Sequence, residues 1–413
     1  MGTEGRLRCW GRGGRRSSWL LRATVILGGV VAARAVRARR PVVERQQALR
    51  PDEPLAEGRE EALRRRARAG QPDAMSDLGV MLAEREQGRQ AEELFEQAAR
   101  IGHAGAMYNL GVMLEARDAG QAEEWYRRAA DAGDANAMYN LAVRLQQRGD
   151  PVEAERWYRG AAAHDHPRAM NNLGVVLQQR GEVGEARSWF LRAAEAGQVD
   201  AMGNLGAMLQ RRGQRAEAEA WYWRAAEAGQ ADAMGSLGSM FEMRGQIGLA
   251  EEWYRRGARA NSPGAMTNLG VLLAGRGQLA EAEDLYRRAA DAGSPVAMNN
   301  LGTMVERRDA AAAEQLYRES ANAGQPAAMT NLAGLLAGQG HVEEAAAWYR
   351  QAAGAGEPNA IDALSAAERS RAAGTQLDAT DSPARVSERA LGPTDRLVSS
   401  GSTNAPQYRR SGV

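Results

Sequence analysis

Residues 169–197 read AMNNLGVVLQQR (Ala169–Arg180), Gly181-Glu182, VGEARSWFLRAAEA (Val183–Ala196) and Gly197. The first block sets Met170, Leu173 and Leu177 on one stripe at i, i+3 and i+7, the spacing of an amphipathic helix. The second does the same with Ala186, Phe190 and Ala193. Gly181 ends the first helix, and Gly197 supplies the left-handed residue that closes the second. Gly174, Ala186 and Ala193 are small enough for close backbone approach, with Leu173 and Phe190 filling the space between. The stretch predicts two antiparallel helices.

The phrase returns along the chain. Ala-Met pairs begin at Ala74, Ala106, Ala137, Ala169, Ala201, Ala233, Ala265, Ala297 and Ala328, and the pattern fades at Ala360-Ile361. The interval is about 32 residues, which signals stacked supersecondary units. A closing glycine recurs at Gly102, Gly133, Gly229, Gly293, Gly324 and Gly356. Asp165 and Asn261 replace it in two units, being the residue types that best tolerate positive φ after Gly. Ser262-Pro263 and Ser294-Pro295 read as N-cap and first-turn proline. A hairpin this short cannot bury both apolar stripes alone, so stacking on neighbours completes the core. The expected fold is all-α, a right-handed α-solenoid of antiparallel helix pairs.

The boundaries follow from where this pattern starts and stops. Residues 1–55 form a basic N-terminal arm and 56–73 an N-terminal capping helix. Nine repeats occupy 74–359, a C-terminal capping helix 360–373, and a Ser/Thr/Gly/Pro-rich tail, expected to be disordered, 374–413. Arg66 stands where the repeats have a small alanine, as suits a cap. The chain of 413 residues has a net charge of +1, which gives no general reason to expect nucleic acid binding. All of its basic residues are Arg, which we read as codon bias. The first fifty residues hold twelve Arg against Glu4 and Glu44. Among them runs Ala23–Ala33 (ATVILGGVVAA), about 16 Å long as a helix and roughly half a bilayer core. Residues 15–40 are open to three readings: a basic arm or misassigned start, a membrane anchor, or a cleaved signal. The expected location is cytoplasmic, with membrane association or export as the alternative. Nothing in the sequence sets the oligomeric state.

The units resemble the tetratricopeptide-repeat superfamily, and within it the Sel1-like repeats. Leu173-Gly174, Ala186, Phe190 and Ala193 match the tetratricopeptide pattern, as do Leu269-Gly270, Ala282, Tyr286 and Ala289. The Sel1-like phrase W-Y-R-R-A-A-x-A-G stands at Trp125–Gly133 and is echoed at Trp348–Gly356. Gly257 and Ser320 depart from the last small alanine, and Ala142 and Ala333 from the glycine. The resemblance implies a non-catalytic protein–protein interaction scaffold that holds a partner segment in a concave groove lined by first helices. A remote alternative, by the same resemblance, is a hydrolase of the cysteine-rich Sel1-like type. The chain has one cysteine, Cys9, so the paired cysteines of that type are missing.

Few residues offer chemistry. His103, His164, His166 and His341 sit at inter-helix junctions, without a nearby set that completes a metal shell. Gly235-Ser236-Leu237-Gly238 resembles a nucleophile elbow only superficially, since it falls inside a first helix. No catalytic, cofactor or metal site is expected. The Met column and the in-register Trp125, Trp157, Trp189, Trp221, Trp253 and Trp348 read as packing, because Leu94, Leu285 and Leu316 replace Trp. The pairs Glu124/Arg128, Glu155/Arg159, Glu252/Arg256 and Glu283/Arg287 read as a solvated face.

One column packing does not explain: Asn109, Asn140, Asn172, Asn204, Asn268, Asn300 and Asn331. Asn172 lies about 200° around the helix from Met170, and Asn has no apolar area to bury. Its amide donates and accepts. Two readings stand. By resemblance, the column is a ladder along a bound peptide, with Tyr108, Tyr139, Asn171 and Asn299 adding selectivity. Alternatively, duplication copied a harmless residue, or each Asn bonds to the neighbouring helix.

Overall fold

The computed structural model describes residues 56–364, and these are helical throughout, with no strand among them. The basic arm, residues 365–373 of the closing helix, and the tail lie outside the described residues. Packing divides the chain into two units, one ending at Arg192 and the other beginning at Ala193. The first holds α1 (Ala56–Arg68), α2 (Pro72–Glu84), α3 (Gly88–Arg100), α4 (Ala104–Leu114), α5 (Ala119–Asp131), α6 (Ala135–Arg148), α7 (Pro151–Ala163) and α8 (Pro167–Gln179). The division falls inside α9 (Val183–Glu195). The second unit continues with α10 (Val199–Arg211), α11 (Arg215–Glu227), α12 (Ala231–Met243), α13 (Ile247–Arg259) and α14 (Pro263–Gly275). It ends with α15 (Leu279–Asp291), α16 (Pro295–Val305), α17 (Ala310–Asn322), α18 (Pro326–Gly338) and α19 (Val342–Gly354). Residues 358–364 are again helical, with Ala360 and Ala363 buried.

Each hairpin is built around one aromatic ring. In the second helices Phe95, Tyr126, Tyr158, Phe190, Tyr254, Tyr286 and Tyr317 are fully buried. The ring lies flush on the glycine of its own first helix. A Cβ on Gly174 would stand 2.7 Å from the Phe190 ring, and one on Gly238 would stand 2.5 Å from Tyr254. That is well inside van der Waals contact, so glycine here provides room for a ring. Ala142 and Ala333 take this place opposite Tyr158 and Tyr349. The repeat therefore accommodates one methyl at this place.

The helix ends follow local rules. Gly102, Gly133, Gly197, Gly229, Gly293, Gly324 and Gly356 have positive φ, and Asp165 and Asn261 adopt it at 57° and 62°. Ser262 and Ser294 accept from the backbone N–H of Ala265 and Ala297, capping α14 and α16. His103 and His166 cap α4 and α8 through Nδ1 at 2.9 and 3.1 Å. A ring nitrogen that accepts must be unprotonated, and burial holds His166 down at about 4.

Charges tie hairpin to hairpin. Glu155 accepts from Arg159 one turn on and from Arg180, which follows the next first helix; Arg159 also reaches Glu185 at 2.6 Å. Glu251 repeats this with Arg255 and Arg276, while Arg255 reaches Glu281 at 2.8 Å. Two of the anticipated i, i+4 pairs form, Glu155–Arg159 and Glu283–Arg287. Arg128 and Arg256 instead lie over the rings of Trp125 and Trp253, at 4.1 and 4.0 Å. The ion pairs in those helices shift by one residue, to Glu123–Arg127 and Glu251–Arg255. An indole face attracts a guanidinium and covers its stem, which a charge-only register does not anticipate.

Glu283, held by Arg308 and Arg287, has its carboxyl lowered from 4.5 to about 2. A depressed folded-state value means a stabilising contribution that is complete above the unfolded value and lost as pH falls toward the folded one. Thermal melts of the second unit should thus lose stability as pH drops from about 4.5 to about 2. Glu283→Gln should be less stable than the parent at neutral pH and should flatten that decline.

Candidate functional site: the first-helix surface

The asparagine column occupies a second contact face of the first helices. Asn172 donates through Nδ2 to the Tyr158 hydroxyl of the preceding hairpin at 3.2 Å. Asn268 donates to Ser239 Oγ at 3.2 Å, and Asn331 to Asn299 Oδ1 at 2.9 Å, each reaching the preceding first helix. Asn109, Asn268 and Asn300 are buried, as are Asn171 and Asn299; Asn140, Asn172, Asn204, Asn331, Tyr108 and Tyr139 are half-buried. The helical-wheel angle from Met170 is consistent with this. A first helix in a stack has two buried faces, one toward its own partner and one toward the hairpin before it. Asn172, Asn268 and Asn331 thus bond to the preceding hairpin. Any ligand must approach through the half-buried subset.

The hydroxyls they meet are anchored from the other side. Tyr158 donates to Gln146 at 2.7 Å and Tyr222 to Gln210 at 2.9 Å. Tyr254 donates to Glu242 at 2.5 Å, and Tyr317 to Glu306 at 2.8 Å. These acceptors share one position near the end of each first helix. Burial pushes the phenols upward, Tyr222 to about 12. Sequence reading missed this acceptor column, although Glu115, Gln146, Gln178, Gln210, Glu242 and Glu306 recur in register. Its signal was a polar residue at fixed distance from a buried tyrosine.

The remaining candidates separate. Tyr139 stacks on His166 with ring centroids 4.8 Å apart, and Tyr108 tilts over Tyr126 at 5.9 Å. His164 turns to its own helix, Nδ1 standing 3.0 Å from Gly160 O, so it does not converge with His166. Ser236 Oγ donates to Asp232 O within α12. Of the methionine column, Met75, Met107, Met138, Met170, Met202, Met234, Met266 and Met329 are buried. In the second unit successive first helices lie closer to one another than successive second helices do, as α12 does to α14. The first-helix side is thus the inner side of that unit.

Stacked helix hairpins with an aromatic-on-glycine seat define a helical-repeat protein of the α-solenoid class. Sel1 repeat profiles match residues 104–134, 231–262 and 295–325. Tetratricopeptide repeat profiles match 73–102, 139–201, 199–231, 264–292 and 327–354. The chain belongs to the tetratricopeptide-repeat superfamily, as a protein of Sel1-like repeats. Among solved structures it resembles a protective antigen of uropathogenic Escherichia coli with an SLR fold. The identity is 24%, the TM-score 0.55, and the match covers 80% of this chain and 78% of that one. A Sel1 repeat protein from Oxalobacter formigenes matches at 23% identity and TM-score 0.48, over 70% of this chain and 96% of that one. No curated protein matches the sequence. Repeats of these families are in general non-catalytic scaffolds for protein–protein interaction.

Two tyrosines lack this acceptor, the position holding Ala274 opposite Tyr286 and Ala337 opposite Tyr349. The Tyr286 hydroxyl is buried with the Asn300 amide beside it, and its own proton meets no acceptor. A buried unsatisfied donor costs about 1–3 kcal/mol. Ala274→Gln should supply the acceptor that Gln146 and Gln210 provide elsewhere. Chemical denaturation should show a gain of about 1 kcal/mol, absent when Tyr286→Phe is the background.

Proposed function

We propose that the protein is a scaffold whose first-helix surface holds an extended segment of a partner protein. The observation that carries this reading is the half-buried row of amides and phenols on unit one, Tyr108, Tyr139, Asn140 and Asn172. An amide side chain presents a donor and an acceptor to a peptide backbone, which has the same two groups unpaired when extended. Asn172 already donates to Tyr158; its carbonyl accepts from Asn171 in a long 3.3 Å contact. A backbone N–H offered at that carbonyl would make a shorter bond. Tyr139, braced by His166, offers a rigid flat side to a partner side chain. In the second unit, taken by itself, Asn204 and Asn331 are the half-buried members of the column. The buried members act as support, Asn109 and Asn171 within the first unit and Asn268, Asn299 and Asn300 within the second.

The test separates grip from support. Partners are captured on the full chain and compared with Asn172→Ala, Asn140→Ala/Asn172→Ala and Tyr158→Phe. Tyr158→Phe removes the same internal hydrogen bond and leaves the amide in place. The scaffold reading expects capture to fall about tenfold or more in the Asn variants and to persist in Tyr158→Phe, all variants keeping their helical content. Equal capture by every variant, or equal loss in Tyr158→Phe and Asn172→Ala, would sink it.

A further inference from the structure

The first rung of the amide column is a carboxylate. Asp77 stands on α2 at the position that Asn109 holds on α4, Asn140 on α6 and Asn172 on α8, and it is half-buried. Its surroundings do not engage it. Asn172 has the Tyr158 hydroxyl of the preceding hairpin, whereas the equivalent residue of α1 is the buried Leu63. Arg66 donates through Nε to Gln71 at 2.7 Å. Asp73, one turn earlier on the face of Asp77, accepts from His103 Nε2 at 3.1 Å. Among the described residues Asp77 forms no hydrogen bond or ion pair. Burial raises its carboxyl above the ordinary range, against the pull of Arg59, Arg66 and His103. The next rung lacks a donor as well. Asn109 is 3% exposed and its Oδ1 has no hydrogen-bond partner; the ring of the preceding hairpin is Phe95, which has no hydroxyl. Asn268 and Asn331 reach back to the preceding first helix, and the same register turns Asn109 toward α2. Two adjacent rungs of the first unit thus hold acceptors without donors. An end cap needs only an exposed polar group, and an amide at position 77 would cost less to bury than a carboxylate.

We infer that Asp77 is the subsite for a cationic side chain, lysine or arginine, of the segment held along the first-helix surface, an assignment that rests on the scaffold reading above. An ammonium or a guanidinium carries donors and no acceptor, which is what the Asp77 carboxylate and Asn109 Oδ1 lack. A charge-assisted bond is about twice as strong as one between neutral groups. Asp77 therefore sets the register of the segment, while Asn140 and Asn172 hold its backbone. Asp73 adds negative potential one turn away. Neighbouring first helices stand about one helix diameter apart, so Asp77 lies about 20 Å from Asn140, a span that an extended chain covers in about six residues. The partner segment is thus extended, with a basic residue about six places from the one gripped at Asn140.

Selection of a random dodecapeptide library on the full chain tests this. Peptides enriched by the parent should share one Lys or Arg at a fixed place. That preference should vanish on Asp77→Asn, which installs the column's own amide and should melt no lower than the parent. A synthetic peptide from the parent's selection should bind Asp77→Asn about tenfold or more weakly. Chemical coupling gives a second readout. All basic residues of the chain are Arg, so a carbodiimide joins a lysine of the peptide to a carboxylate of the chain with no lysine of the chain competing. The new amide should form at Asp77, with loss of water, and should be missing from Asp77→Asn. Enriched peptides that depend on Asn140 and Asn172 but share no basic residue would overturn the inference and leave the scaffold reading standing; that result is also expected if an arginine within residues 1–55 fills the place. Equal binding by Asp77→Asn, or coupling unchanged in it, would overturn the inference in the same way. A library that yields no enriched peptide, or peptides indifferent to Asn140→Ala/Asn172→Ala, would remove the scaffold reading and this inference with it.

Discussion

Each hairpin depends on an aromatic ring seated on a glycine. The ring of Phe190 or Tyr254 lies where a Cβ on Gly174 or Gly238 would stand, so the two helices close around it without a void. Burying such a side chain removes apolar surface worth about 1.5–3 kcal/mol from water. One ring cannot offset the ordering of some thirty residues at about 1–2 kcal/mol each. The tyrosine hydroxyl supplies the remaining connection. It is anchored by an acceptor on its own first helix and, at Tyr158, receives the amide of the next repeat. A core element within one repeat is thereby a contact between two.

The charge ladder repeats this logic on another face. Glu155 and Glu251 each serve an arginine of their own helix and one that belongs to the following repeat. Exposed pairs contribute little to stability singly. Networks of shared carboxylates constrain register, and that is what a stack needs most. Between α11 and α13 the two rung positions hold Trp223 and Leu249, two apolar residues in place of the ion pair.

Much of the architecture was legible in residues 169–197 because glycine, alanine and proline act locally. Positive φ at Asp165 and Asn261, and capping by Ser262 and Ser294, follow from the residue itself and its immediate neighbours. Features that arise between repeats were harder to read. The inward amide of Asn172 required knowing that a first helix has a second buried face. Arg128 and Arg256 required knowing that an indole lay within reach, three residues back along the helix. The acceptor column facing the tyrosines was visible as a recurrence at Gln146, Gln210 and Glu242. Its meaning needed the ring's orientation, which periodicity does not supply. The likeness to the Escherichia coli antigen, at TM-score 0.55, adds the fold and leaves the ligand to this chain's own side chains.

The central claim is that stability resides in the joints between hairpins as much as in the hairpins. Denaturant unfolding of a series that grows one repeat at a time from a single hairpin measures this directly. The account predicts that a single hairpin spanning residues 135–163 is unfolded, and that stability and the steepness of unfolding rise with each repeat added. A lone hairpin that is stably helical, or a stability independent of repeat number, would contradict it.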